Sequence, residues 1–173
     1  MSKGISHIIE VFNKKDLGFL LSDCNKSFSE AVINDYWGKE VKGYSSTVKT
    51  FSLKPNSRAL STVVNKCVEL FGEEPYGVFY YYWSEGGYIP WHSDNDYKAA
   101  FSIYLTPDWK YDYGGLFQYN LIGPIKTILP FQNTGVYQTG GVPHSTTIQA
   151  ESSPIRKSIQ CWFGSKKTKK TTL

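Results

Sequence analysis

From Tyr76 to Phe163 the chain is cut into short runs rich in Tyr, Val, Ile, Phe and Thr, each bounded by Gly, Pro, Asn or Asp. This alternation of strand formers and breakers restricts the fold more than any other feature. Aromatic and β-branched side chains suit a pleated surface, whereas Gly, Pro, Asn and Asp suit turns. The runs fall at 76–83, 87–92, 98–105, 115–120, 124–130, 134–138, 143–149 and 155–163. Short strands recurring about every 8–12 residues predict a sandwich, jelly roll or barrel. An aromatic content of 16%, with 13 Tyr and 10 Phe, supplies a core and excludes a wholly disordered chain.

The segment before this β region reads differently. Ile5 to Phe12 has strand character. Asn13 to Lys15 then opens a helix of about 10 residues, with Asp16 in the first turn, where a carboxylate suits the helix dipole. Residues 31–56 are mixed and aromatic, longer than an ordinary connection, and with Tyr36, Trp37 and Tyr44 form a candidate lid. Ala59, Leu60, Val63, Val64, Cys67, Val68 and Phe71 recur at helical spacing. Asn56 or Ser57 can cap that helix, and Gly72 closes it. The expected fold is therefore mainly β (α+β), with two N-terminal helices covering one outer face. A length of 173 residues fits one domain, taken as 1–165, followed by a Lys-rich tail at 166–173.

Charge and cysteine usage narrow the setting. The net charge of +4 is mild and does not by itself indicate nucleic acid. Lys166, Lys167, Lys169 and Lys170 read as a solubilising tail, with phosphate contact as the sharper alternative. Cys24, Cys67 and Cys161 are odd in number and include no C-x-x-C, which fits small buried hydrophobes in a reducing compartment. No secretory signal and no apolar run long enough to cross a bilayer are visible, so a soluble, cytoplasmic protein with no membrane partner is expected.

The chemistry concentrates around two of the three histidines. His92 belongs to W-H-S-D, with Asp94 two residues on. On a strand, residues i and i+2 point to one side, so His92 and Asp94 can reach one metal ion. His144 lies 50 residues beyond Asp94, enough chain for intervening strands to bring it back. Two His and one carboxylate on one face form the ligand set of non-haem Fe(II) oxygenases, which leaves positions open. Asp96 could replace Asp94, but its spacing matches the strand period less well. His7 lies outside the pattern. Arg156 follows His144 by 12 residues, with Ser158 on the same strand face. An Arg turned into a β-barrel needs an anion, and a carboxylate paired through two hydrogen bonds is the natural one.

These pieces, in order, resemble the 2-oxoglutarate/Fe(II) dioxygenase superfamily, closest to its prolyl-4-hydroxylase-like branch. They are Tyr82, Gly87, His92 and Asp94; Ser102 to Trp109 with Gly114–Gly115; Ile128 to Gly135; Val142 to Ser145; and Arg156 to Phe163. The opening I-I-E-V-F-N-K-K-D-L is also similar to that branch. The resemblance implies a double-stranded β-helix, a distorted jelly roll. It implies Fe(II) held by His92, Asp94 and His144, with 2-oxoglutarate chelating it and O2 as the oxidant. The far carboxylate would pair with Arg156, helped by a hydroxyl from Ser158 or Tyr82, with Tyr80 as the competing tyrosine of the same strand parity. Ascorbate would serve as an accessory reductant. The implied activity is hydroxylation of a C–H bond, foremost in a peptidyl, prolyl substrate, with 2-oxoglutarate and O2 converted to succinate and CO2. A carboxylate at Asp94 argues against the halogenating relatives, which carry a small residue there.

Other readings stay open. A nucleic-acid demethylase would use the Lys tail, but such relatives carry a second Arg where Trp162 stands. A small-molecule hydroxylase and a non-catalytic cupin-like module are the remaining alternatives. Trp91, Tyr88, Trp109, Tyr111 and Tyr113 are the aromatics expected near the mouth, where they would hold prolyl rings and extended peptides or else fill the barrel.

Overall fold

The computed structural model describes residues 4–34 and 47–164. Strand β1 (Ile5–Ile8) is followed by helix α1 (Lys14–Ser27), a short 3-10 turn, β2 (Val32–Ile33), β3 (Lys49–Ser52) and helix α2 (Arg58–Phe71). Eight further strands follow: β4 (Gly77–Trp83), β5 (Ile89–His92), β6 (Ala99–Tyr104), β7 (Phe117–Tyr119), β8 (Lys126–Ile128), β9 (Gly135–Thr139), β10 (His144–Thr146) and β11 (Arg156–Phe163). Each falls within or beside one of the runs expected from the sequence. No described helix is long and apolar enough to cross a membrane.

The strands form two antiparallel sheets. The larger has the order β1-β9-β6-β11-β4-β3-β2 and the smaller β5-β10-β7-β8. Together they make the double-stranded β-helix, with a cavity between the sheets and both helices on the outer face of the larger one. Side-chain alternation divides that larger sheet. Val78, Tyr80, Tyr82, Phe101, Ile103, Ile159, Cys161 and Phe163 pack with Leu20 and Cys24 of α1 and Ala59, Val63 and Cys67 of α2 into the main core. Phe79, Tyr81, Trp83, Ser102, Tyr104, Arg156, Ser158 and Gln160 face the cavity. All three cysteines are free and buried, as small core residues.

Local chemistry explains the helix boundaries. Asn13 caps α1 by accepting from the Asp16 amide at 2.9 Å, and its own amide donates to the Asp16 carboxylate at 2.8 Å. Asn13 thus satisfies one of the amides that a helix start leaves unpaired, and the Asp16 carboxylate holds the cap in place; α1 runs to 14 residues, longer than expected. Of the two candidate caps for α2, Ser57 serves, accepting from the Leu60 amide at 3.2 Å, and Gly72 ends the helix in the left-handed region.

Two sequence expectations need correction here. The first strand stops at Ile8, because Glu10 adopts φ 54° and turns the chain out of the sheet. Val11 and Phe12 then enter the core, where the Phe12 amide donates to Asn133 Oδ1 and Asn133 Nδ2 donates to the Phe12 carbonyl. The mixed 31–56 stretch contains two short strands, β2 at the sheet edge and β3 between it and β4, with Val32 paired to Thr50 and Ile33 to Lys49. Tyr36, Trp37 and Tyr44 of the candidate lid, and the Lys-rich tail, lie outside the described residues.

Candidate metal and cosubstrate site

His92 closes β5 and His144 opens β10, and the two face each other directly in the antiparallel pairing of those strands. Their rings lie 4.1 Å apart between centroids. Asp94 sits just beyond β5. One of its carboxylate oxygens lies 3.6 Å from His92 Nε2 and the other 3.4 Å from His144 Nε2. One ligand atom from each residue falls within a span of 4.8 Å, and this is the one group of three such side chains among the described residues able to hold a metal ion. Asp96 lines the cavity mouth but takes no part. His7 pairs with Val136 in β1, away from the cluster.

Both rings are oriented from behind. His92 Nδ1 lies 2.8 Å from the Pro90 carbonyl and His144 Nδ1 2.9 Å from the Val142 carbonyl. A carbonyl can only accept, so each Nδ1 carries the proton and each Nε2 presents a lone pair toward Asp94. Burial, with His144 as a like neighbour, lowers the His92 pKa to about 4. Burial also lowers that of His144. Both imidazoles are therefore neutral near pH 7, the form that binds a metal. Burial raises the Asp94 pKa, opposed by His92 and by the hydrogen bond from Gln138.

The cavity has a volume of about 800 Å³ and runs from this cluster to Arg156. Arg156 is 2% exposed and directly opposes Trp83 across the β11–β4 ladder. Its guanidinium lies 4.0 Å from the Trp83 ring centroid and 5.9 Å from that of Tyr104, and it donates to the Gly115 carbonyl. Burial pushes its pKa down to about 10, which still leaves it charged near neutrality. Among the described residues no carboxylate forms an ion pair with it, and its Nε has no hydrogen-bond partner. Such a cation calls for an acceptor from outside the chain.

The Gly114–Gly115 turn sets this end of the cavity. Both residues have positive φ, 64° and 62°. A Cβ on Gly114 would run into the Ile148 carbonyl, and one on Gly115 would stand 3.1 Å from an Arg156 nitrogen. Glycine is required by both conformation and space. Trp109 is buried behind the turn and donates to the Gly114 carbonyl at 3.1 Å. It holds the turn and does not line the cavity.

The tyrosines chosen from the sequence are on the other side of the sheet. Tyr82 donates to the Cys24 carbonyl at 2.7 Å and Tyr80 to the Asp23 carboxylate at 2.9 Å, both in α1. Both are fully buried in the helix-side core and neither lines the cavity. The physical reason is strand parity: in β4 it is Phe79, Tyr81 and Trp83 that face inward. Ser158 does line the cavity, opposite Tyr81 on one side and Tyr104 on the other.

The mouth also departs from expectation. Of the five aromatics expected there, Trp91 lines the cavity, while Tyr88, Trp109, Tyr111 and Tyr113 do not. Tyr111 is exposed and packs edge-on to Phe131, and Tyr113 packs edge-on to Trp109. Tyr76, Tyr97 and Trp162 take their place. Tyr97 lies between the other two, 5.9 Å from Tyr76 and 4.4 Å from Trp162 between ring centroids. The sequence reading missed Trp83, Tyr104 and Gln138 as well. Trp83 and Tyr104 carried no signal in the sequence, because their place beside Arg156 and Ser158 is set by strand register. Gln138 was visible as a lone amide in the inward row of β9.

No family model and no curated protein matches the chain. Solved structures do. A prolyl-4-hydroxylase from Pseudomonas putida superposes with a TM-score of 0.77 at 18% identity, over 94% of this chain and 93% of that one. A Trichoplax adhaerens prolyl hydroxylase, solved with an oxygen-degradation-domain peptide of hypoxia inducible factor, gives 0.74 at 13% identity, over 94% and 84%. A non-heme, alpha-ketoglutarate-dependent epimerase from nogalamycin biosynthesis gives 0.69 at 13% identity, over 92% and 77%. At these identities the shared property is the fold. It is the fold of 2-oxoglutarate/Fe(II) oxygenases, and in this chain it carries the His92–Asp94–His144 cluster.

Proposed function

We propose that this protein is a 2-oxoglutarate-dependent Fe(II) dioxygenase that hydroxylates a C–H bond, foremost in a proline-containing peptide. The observation that carries the proposal is one cavity lined by a two-histidine, one-carboxylate cluster and by a buried, unpaired arginine. The donor set fits Fe(II), because two neutral imidazoles and one carboxylate leave the rest of an octahedron open. The cavity's far end fits a dicarboxylate, because Arg156 offers donors without a protein anion.

Bound there, the iron and the keto acid would supply the oxidising power for C–H hydroxylation, yielding succinate and CO2. The chain's own residues do the rest. Pro90 and Val142 carbonyls hold the imidazoles in the tautomer that presents Nε2. Arg156, held against Trp83 by cation–π contact and by the Gly115 carbonyl, anchors the carboxylate, with the Ser158 hydroxyl on the same face. Phe117, Trp83 and Tyr104 give apolar walls that exclude water.

The mouth favours a peptide over a nucleic acid. Among the described lining residues Arg156 is the one Lys or Arg side chain, so a phosphate backbone finds no further cation. Trp91, Tyr81, Tyr97 and Trp162 offer aromatic surface suited to prolyl rings. The peptide complex of the Trichoplax structure supports the same class.

Two experiments test this. Metal-free protein is titrated anaerobically with Fe(II) and 2-oxoglutarate; a visible charge-transfer band that needs both additions is expected. Proline-containing peptides are then incubated aerobically and examined by mass spectrometry for one added oxygen. Iron binding with no such band overturns the cosubstrate assignment. A band without any oxidised peptide overturns the peptidyl substrate and leaves a small-molecule hydroxylase.

A further inference from the structure

Four buried side-chain polar atoms lack a partner among the described residues: Trp83 Nε1, Gln138 Oε1, Gln149 Oε1 and Arg156 Nε. Three of those residues, all but Gln149, line the one cavity. Gln138 differs from the other two because it touches the ligand cluster itself. It lies on β9, 6% exposed, between Ile5 of β1 and Ala100 of β6 in register. Its amide nitrogen is 2.8 Å from Asp94 Oδ2 and 3.1 Å from His144 Nε2. Both are acceptors here, since the His144 proton sits on Nδ1. The amide orientation is therefore fixed, with NH2 toward the cluster and the carbonyl oxygen left without a donor. A reversed amide would set oxygen against the carboxylate.

We infer that Gln138 is a positioning residue that reserves Asp94 Oδ2 and leaves Oδ1 as the oxygen offered to a metal ion. A carboxylate with both oxygens free can close on a metal through both and use up a position. With Oδ2 tied to an amide N–H, the carboxylate binds through one oxygen, and the ion keeps the places that a chelating keto acid and oxygen need. Before any ion arrives the same NH2 also donates to His144 Nε2; an ion would take that lone pair and displace this second contact, while the one to Asp94 Oδ2 can persist. The orphaned carbonyl is consistent with this, because a side chain selected only for packing gains nothing from an unpaired buried oxygen. Neighbouring Val136, on the same strand face, is apolar and packs with Tyr104, Phe117 and Ile128. This inference rests on the metal-site reading above, and its test uses neither cosubstrate nor turnover.

The experiment titrates Co(II) into metal-free protein and follows heat and the visible spectrum. Gln138→Met keeps length and apolar volume but removes the donor. Its Co(II) affinity should fall about 10–100-fold, the usual effect of losing a hydrogen bond behind a ligand, with far-UV circular dichroism and melting unchanged. Gln138→Glu covers the case in which Gln138→Met fails to fold. It keeps the shape but brings an oxygen to the cluster, so Co(II) should bind with a visible spectrum distinct from wild type. Wild-type affinity and spectrum in both variants overturns the role of Gln138 and leaves the metal site standing. A wild-type protein that binds no Co(II) overturns both readings.

Discussion

The two faces of β4 are made from nearly the same residues and end in opposite states. On the helix side, Tyr80 and Tyr82 are wholly buried and both hydroxyls are spent on α1, on Asp23 and on the Cys24 carbonyl. On the cavity side, one residue away, Trp83 Nε1 finds no partner among the described residues, and neither does Nε of Arg156 opposite it. One face is closed by the protein's own groups; the other leaves donors turned toward the cavity without a partner among the described residues. Phe79 and Tyr81 on the cavity side are half-buried, but Trp83 and Arg156 are buried like Tyr80 and Tyr82, so for these four residues depth does not separate the two faces. Hydrogen-bond closure does.

Substitutions can break or sharpen this contrast. The largest effect is expected at the metal cluster: His144→Ala should weaken Co(II) or Fe(II) binding by more than about 100-fold, read by calorimetry, while the melting temperature of the metal-free protein stays near wild type. Next is Arg156→Met. Losing one partner of a buried charge pair costs about 2–5 kcal/mol, so the Kd for 2-oxoglutarate should rise at least about 30-fold. The metal-free variant should be no less stable than wild type in urea, because an unpaired buried charge has been replaced by an apolar chain. A large loss of stability would mean that the cavity face is structural after all.

Tyr82→Phe is the mirror experiment. It should cost about 1 kcal/mol of stability by leaving the Cys24 carbonyl without its donor, with 2-oxoglutarate affinity unchanged. A loss of affinity would put Tyr82 back at the site. The smallest expected signal is a titration. In metal-free protein the His92 imidazole resonances should move with a midpoint near about 4 instead of 6.5. Folded His92 thus refuses a proton that the unfolded chain accepts. Its contribution holds above pH 6.5 and is lost as pH falls toward about 4, while Asp94, raised by burial, works in the opposite sense. A midpoint near 6.5 would mean a wet, open cluster.

The same β4 strand shows where sequence reading stops. The H-x-D spacing and the later histidine were legible because one ion forces those side chains together. Arg156 was legible because a charge facing inward needs an explanation. The inward tyrosine was not. Tyr80, Tyr81, Tyr82 and Trp83 are all aromatic, so the period-2 pattern that assigns a strand's faces carries no contrast there. Only pairing settles it: Arg156 opposes Trp83, which turns the odd-numbered residues of β4 inward. The strands of the β region were legible from breakers such as Gly114, Gly115 and Pro143. The short β2 and β3 were not, because two and four residues carry too little alternation to read. The aromatics beside Gly114 were misplaced for a related reason. Trp109 is taken up by the turn it supports, and the mouth is built from Tyr76, Tyr97 and Trp162, far apart in sequence.

The pairing of β1 with β9 bears on how the site is assembled in time. Ile5 stands beside Gln138, and the adjoining Gly4–Thr139 hydrogen bond joins residues 135 apart. At a synthesis rate of roughly 5–20 residues per second, the first strand would wait roughly 7–27 seconds for its partner. Until then β1 has no partner strand, and Gln138 is not yet behind the cluster. Contacts of such long separation are late and slow to form. Metal capture would therefore belong to the last stage of folding, and an ion present earlier would meet His92 and Asp94 before the strands carrying Gln138 and His144 had closed around it.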